Sequence, residues 1–147
     1  MKKMLVLSII SAMYAVGAFA QKAAVFNDKG VAVHGYDVVA YFTKSKPVKG
    51  DSKLAVNWNN ATWYFADQQD LALFKANPEK YAPQYGGYCA YGVSDNHKAP
   101  TKPEAWSIVN GKLYLNYNTD VQADWKKEQA KRIADADKNW QAIKDKE

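Results

Sequence analysis

The chain has 147 residues, a formal charge of +5 and 48% apolar residues, enough for one ordinary domain to bury a core without disulfides or a structural metal. Its single cysteine excludes an internal disulfide. Its lysines, in the loop 44–53 and the C-terminal third, are interleaved with acidic and polar residues, which is the pattern of a solvated face and not of a nucleic-acid patch, so no nucleic-acid partner is expected.

Residues 1–20 combine Lys2 and Lys3, an apolar run from Met4 and a small-residue cleavage pattern at Ala18-Phe19-Ala20. They read as a secretory signal peptide. The apolar run is shorter than the roughly 20 residues a membrane span needs, so no stable membrane insertion is expected after cleavage. The expected mature chain is a single domain over 21–147, beginning near Gln21, with a charge of +3 once both lysines are gone. A bacterial periplasmic or secreted location follows, and all three methionines leave with the leader, so no thioether copper site remains.

The stretch 24–33 alternates weakly and predicts a short first strand or arm ending at His34. Asp37 is placed to cap a helical turn containing Val38, Val39, Tyr41 and Phe42. The lysine-rich piece to Lys53 is a loop. Strands near 54–58 and 62–66 form a hairpin around Asn59-Asn60. Asp67 then caps a helix that ends at Asn77-Pro78, and Pro78 opens another short turn through Tyr81.

A polar segment from Ser94 to Glu104 carries His97 as a loop. Asn110-Gly111 marks a second hairpin. From Asn118 the chain reads as helix, with Thr119 and Gln122 in a capping-box pattern and Val121, Trp125, Ile133, Ala136, Trp140 and Ile143 at helical spacing. The expected fold class is α+β: a small antiparallel sheet built from two hairpins, packed by short helices and a long C-terminal helix.

Tyr85 to Val93, YGGYCAYGV, holds Cys89 among three tyrosines and three glycines. Gly86 and Gly87 permit a bend that other residues would find strained, which reads as a placed thiol. A lone cysteine is also a good small core residue. Both readings stay open on the sequence.

The run WYFADQQDLALFKANPEKY, from Trp63 to Tyr81, resembles the YHS domain family, with its aromatic pair, short helix ending in Phe and Asn-Pro-x-x-Tyr. With HGYDVVAYF, YAPQYGGYCAYGV and AWSIVNGKLYLNY, the whole mature chain is similar to the secreted bacterial branch of that family. The resemblance implies a compact α+β module with a role in metal or thiol chemistry. Relatives attached to heavy-metal proteins place two cysteines where this chain has Ala66 and Asp70, so that ligand pair does not carry over. It also implies a reactive Cys89, because some relatives carry selenocysteine in this segment.

The candidate metal set is Cys89, His34 and His97, which together would suit copper or another soft ion. Each has a plainer reading: Cys89 as core, His34 bonded to backbone, His97 exposed. Asp37 reads as a cap and Asp70 as a surface charge. Tyr36, Asp37, Tyr85, Gly86, Gly87 and Tyr88 are the candidate pocket residues, since tyrosines bury a ring while offering a hydroxyl.

No Ser-His-Asp pattern or resolving cysteine is visible, so binding is expected before catalysis. Three readings follow. The first is a non-enzymatic periplasmic module capturing a soft, copper-like metal ion through Cys89. The second is a thiol-redox protein in which Cys89 meets an external thiol partner protein. The third is a small-ligand or interaction domain with Cys89 as packing.

Overall fold

The computed structural model describes residues 23–146; the expected signal peptide lies outside the described residues. The fold is α+β, as expected, and its two hairpins stand in separate sheets. β1 (Asn27–Asp28) and β2 (Val31–Ala32) form a miniature hairpin, with β2 running parallel to β4 (Ala61–Phe65) and β4 antiparallel to β3 (Asp51–Trp58). The sheet order β1-β2-β4-β3 is therefore mixed. The weak alternation over 24–33 conceals a turn, which Asn27 closes by accepting the Gly30 amide on its side chain.

The second hairpin is β5 (Trp106–Val109) with β6 (Lys112–Leu115), turned by Asn110-Gly111 at positive φ. Both central residues of a tight hairpin turn need that conformation, which asparagine tolerates and glycine adopts freely.

Of the helices, α1 (Ala40–Thr43) follows Asp37, and α2 (Gln68–Ala76) is capped by Asp67, whose side chain accepts the Asp70 amide. Pro78 opens α3 (Pro78–Tyr81), and Cys89 opens α4 (Ala90–Ser94). The C-terminal helix is divided at Glu128, at φ −129°, into α5 (Thr119–Lys127) and α6 (Gln129–Ile143). Its cap is Asn118, which accepts the Val121 amide, and not the Thr119 that the sequence pattern suggested.

The interior has two apolar clusters. Trp63, Phe65, Phe74, Val38, Val39 and Leu113 fill the first, between the four-stranded sheet and α2. Tyr85, Tyr88, Val93, Tyr114 and Trp125 fill the second, against α4, α5 and α6. Lys98 closes the far end. It is buried, lies over the rings of Tyr88 and Trp140, and donates to the carbonyls of Lys144 and Lys146, each at 2.7 Å, and of Ala23 at 3.5 Å. Among the described residues, no helix is long and apolar enough to cross a membrane.

Candidate functional site

Two runs of positive φ organise the middle of the molecule: Val33, His34 and Gly35 at 42°, 59° and 74°, and Tyr85, Gly86 and Gly87 at 57°, 62° and 85°. A β-branched residue such as Val33 rarely takes this conformation, so surrounding contacts must impose it. They do. Val33 donates to Phe26 O, Phe26 donates to Gly86 O, and Thr101 Oγ1 donates to Gly87 O at 2.7 Å. A Cβ on Gly87 would stand 2.7 Å from Val33, and one on Gly86 1.8 Å from Ala24 O. The glycine bend expected before Cys89 is present, and it seats the His34 turn and the N-terminal segment.

Beyond the bend, Cys89 is 2% exposed. Its sulfur accepts the Gly92 amide at 3.5 Å, capping α4, and its thiol donates to Asn116 Oδ1 at 3.5 Å. Asn116 is itself fully buried, and the same oxygen accepts the Tyr91 amide at 3.1 Å. Burial pushes the Cys89 thiol above its ordinary range, against the opposing pull of nearby backbone amides. The sulfur is thus enclosed and engaged.

The histidines have other partners. His34 is exposed, with Nε2 2.8 Å from Thr101 O and its ring edge-on to Phe26. His97 is exposed beyond α4, its amide donating to Gly92 O and its Nδ1 3.5 Å from Asp95 O. Among the described residues, no group of three or more His, Cys, Asp or Glu side chains is placed to hold a metal ion. A soft-metal site needs converging donors and a deprotonated thiol. Cys89, His34 and His97 are thus not gathered into one such group among the described residues.

Asp70 corrects the sequence reading. It is 2% exposed, not a surface charge, and pairs with Lys44 Nζ at 2.6 Å. Asp37 is fully buried: Oδ1 accepts the amides of Val39 and Ala40, and Oδ2 accepts that of Ala66 at 2.8 Å. It caps the α1 turn as expected and also pins the end of β4. Desolvation, opposed by those amides and aided by the neighbouring Asp70, raises its pKa to about 6.

The remaining pocket candidates divide. Tyr36 is half-buried and bridges Lys49 through its backbone. The Tyr88 hydroxyl donates to Ala23 O at 2.7 Å, and that of Tyr85 to Asp137 at 2.8 Å. Burial and the Asp137 carboxylate raise the Tyr85 phenol, keeping it neutral.

Tyr85 and Gly86 border a cleft that the sequence did not reveal. Two adjoining cavities of about 300 and 400 Å³ share Trp58, Ala82, Pro83, Gly86 and Trp140. Both tryptophans are partly exposed. Trp58 belongs to the aromatic group with Trp63 and Phe74, and Trp140 to that with Tyr85 and Tyr88. The cleft thus follows the seam between the two apolar clusters, with Asn59, Gln84, Gln141, Asp137 and Lys144 among its polar borders. The available signal was a tryptophan beside each structural boundary: Trp58 next to the Asn59-Asn60 turn, and Trp140 near the end of the helical stripe.

In comparisons with family models, curated proteins and solved structures, none matches this chain.

Proposed function

We propose that the protein is a non-enzymatic binding module that takes a small ligand in the Trp58–Trp140 cleft, with Cys89 serving as a packed, helix-capping residue. The supporting observation is the cleft itself: two partly exposed indoles and the Pro83–Gly86 bend border adjoining cavities, with amide and charged side chains around them. The lining mixes two indole faces with amide and charged side chains, so a small ligand with an apolar face and polar edges suits it. The leader-like residues 1–20 support work in a bacterial periplasm or outside the cell. The YHS resemblance rests on the sequence motifs and is compatible with a compact binding module.

The test is ¹⁵N-NMR of residues 21–147 with indole, benzoate, glucose and proline as separate millimolar probes. At least one probe is expected to shift the indole N–H signals of Trp58 and Trp140, and Trp140→Ala is expected to weaken that response at least tenfold. Silence at both indoles with every probe overturns the cleft. A chelator-buffered Cu(I) titration examines the soft-metal alternative: no stoichiometric uptake is expected. Uptake that Cys89→Ser abolishes would replace the cleft reading with copper capture. Rapid native-state mixed-disulfide formation with glutathione disulfide would replace it with thiol exchange.

A further inference from the structure

The Trp58–Trp140 cleft is divided. Its two cavities, of about 300 and 400 Å³, share Trp58, Ala82, Pro83, Gly86 and Trp140 as common borders. Asn59 and Lys144 border the first and not the second, whereas Gln84 and Gln141 border the second and not the first. Each cavity stands at the small end of the range that ligand sites occupy. The pair therefore suits a ligand of two linked units better than one bulky unit.

The surroundings are stiff. The Trp58 ring lies 5.7 Å from each of the Trp63 and Phe74 rings, and the Trp140 ring lies 6.1 Å from Tyr85 and 6.2 Å from Tyr88. The bend common to both cavities is held by the Phe26 amide, which donates to Gly86 O at 2.8 Å. The Tyr85 hydroxyl donates to Asp137 Oδ1, also at 2.8 Å, and so fixes a carboxylate at the border of the second cavity. A ligand meets side chains already in place, which lowers the ordering cost of binding.

The borders also select the chemistry of the ligand. Both signs of charge stand at each cavity: Lys144 with Asp145 at the first, and Lys112 with Glu79 and Asp137 at the second. An ion of either sign thus meets a like charge in both places. Carboxylates accept hydrogen bonds, ammoniums donate them, and the amides of Asn59, Gln84 and Gln141 do both. A hydroxyl, which donates and accepts, answers all three. The indoles make the opposite demand, for apolar surface against a ring. A pyranose carries both, with C–H groups on its faces and hydroxyls around its edge.

We propose that the Trp58–Trp140 cleft binds a neutral disaccharide, one sugar ring to each cavity, with the indoles against the ring faces and the amide and charged side chains on the hydroxyls. This assignment rests on the cleft reading above and narrows it to one ligand class. A purely apolar ligand would leave the polar borders without partners, and a quaternary ammonium would meet Lys112 and Lys144. A single sugar would fill one cavity and leave the other to water.

The test is a ¹⁵N-NMR titration of residues 21–147 with cellobiose, maltose, glucose and choline, beside the indole and benzoate probes. Cellobiose or maltose is expected to shift both indole N–H signals and to bind about fivefold or more tighter than glucose, because the second ring meets borders already in place. That affinity should change by less than about twofold between about 20 and 300 mM NaCl, as for an uncharged ligand. Asn59→Ala and Gln141→Ala, at exposed positions that should leave the fold intact, should each weaken the disaccharide about threefold or more. Disaccharides that bind no tighter than glucose, an affinity that falls steeply with salt or that either variant leaves unchanged, or choline binding tighter than both disaccharides would each overturn the assignment. So would indole shifts with indole or benzoate and silence with both disaccharides, a result that leaves the cleft standing as a site for another ligand. Silence with every probe removes the cleft and the assignment together.

Discussion

The molecule has two buried polar centres, and they are built on opposite principles. Asp37 and Asp70 lie beside the first apolar cluster with formal charge, three backbone amides and a lysine. Cys89 and Asn116 lie beside the second with neutral groups, and Asn116 Nδ2 meets no acceptor among the described residues. A charged centre can be nearly fully satisfied and still sensitive to pH, because proton occupancy decides its balance. A neutral one can leave a donor unpaired at a cost of roughly 1–3 kcal/mol and stay indifferent to pH over most of the range. The residue type associated with chemistry, the thiol, here has the quieter surroundings.

The comparison breaks most readily at Asp37. Asp37→Ala strands three amides, and a loss of about 3 kcal/mol is expected by urea denaturation at pH 7. A loss below about 1 kcal/mol would mean those amides find other partners and that the charged centre is not the tighter one. Gly86→Ala should follow, costing about 2–3 kcal/mol, since its Cβ would stand 1.8 Å from Ala24 O at a φ of 62°. The same variant should shift the Trp140 indole signal, because the bend borders the cleft.

Smaller effects belong to the neutral centre. Cys89→Ser keeps a capping atom and should cost about 1 kcal/mol, with Cys89→Ala costing about 2 kcal/mol. Native-state alkylation of Cys89 should be slow and become fast in urea; rapid alkylation in buffer would show an accessible thiolate and reverse the contrast. The pH windows sharpen it further. Stability set by Asp37 falls between about 4 and 6, whereas the raised Cys89 thiol lets the folded state keep its proton above the ordinary 9, so its contribution is lost only as pH rises beyond that. Cys89→Ser should therefore flatten part of the alkaline decline and leave the acidic window unchanged. Lys44→Gln should cost under about 1 kcal/mol, as partly exposed pairs do.

Much of the fold was legible because short-range chemistry determined it. Asn110-Gly111 specified one hairpin, Asp67 one cap and Pro78 the opening of α3. What escaped depended on partners distant in sequence. The parallel pairing of β2 with β4 joins Val31 to Thr62, a relation no local pattern carries. Asp70 looked like a surface charge because helix position alone does not disclose that Thr43 and Lys44 fold over it. At the candidate site, the strained bend at Gly86-Gly87 was readable from composition, since few other residues adopt such a φ. The enclosure of Cys89 was not, because Asn116 comes from 27 positions further along the chain.

The Lys98 ammonium gathers the Ala23 carbonyl at one end of the described chain and those of Lys144 and Lys146 at the other. A cyclised or permuted form, with a short Gly-Ser bridge joining those ends and new termini opened at the exposed Asn110-Gly111 turn, should therefore retain the native spectrum. Ala24, Lys144 and Asp145 border the Trp140 cavity, so a label meant to leave ligand access undisturbed belongs at that turn instead.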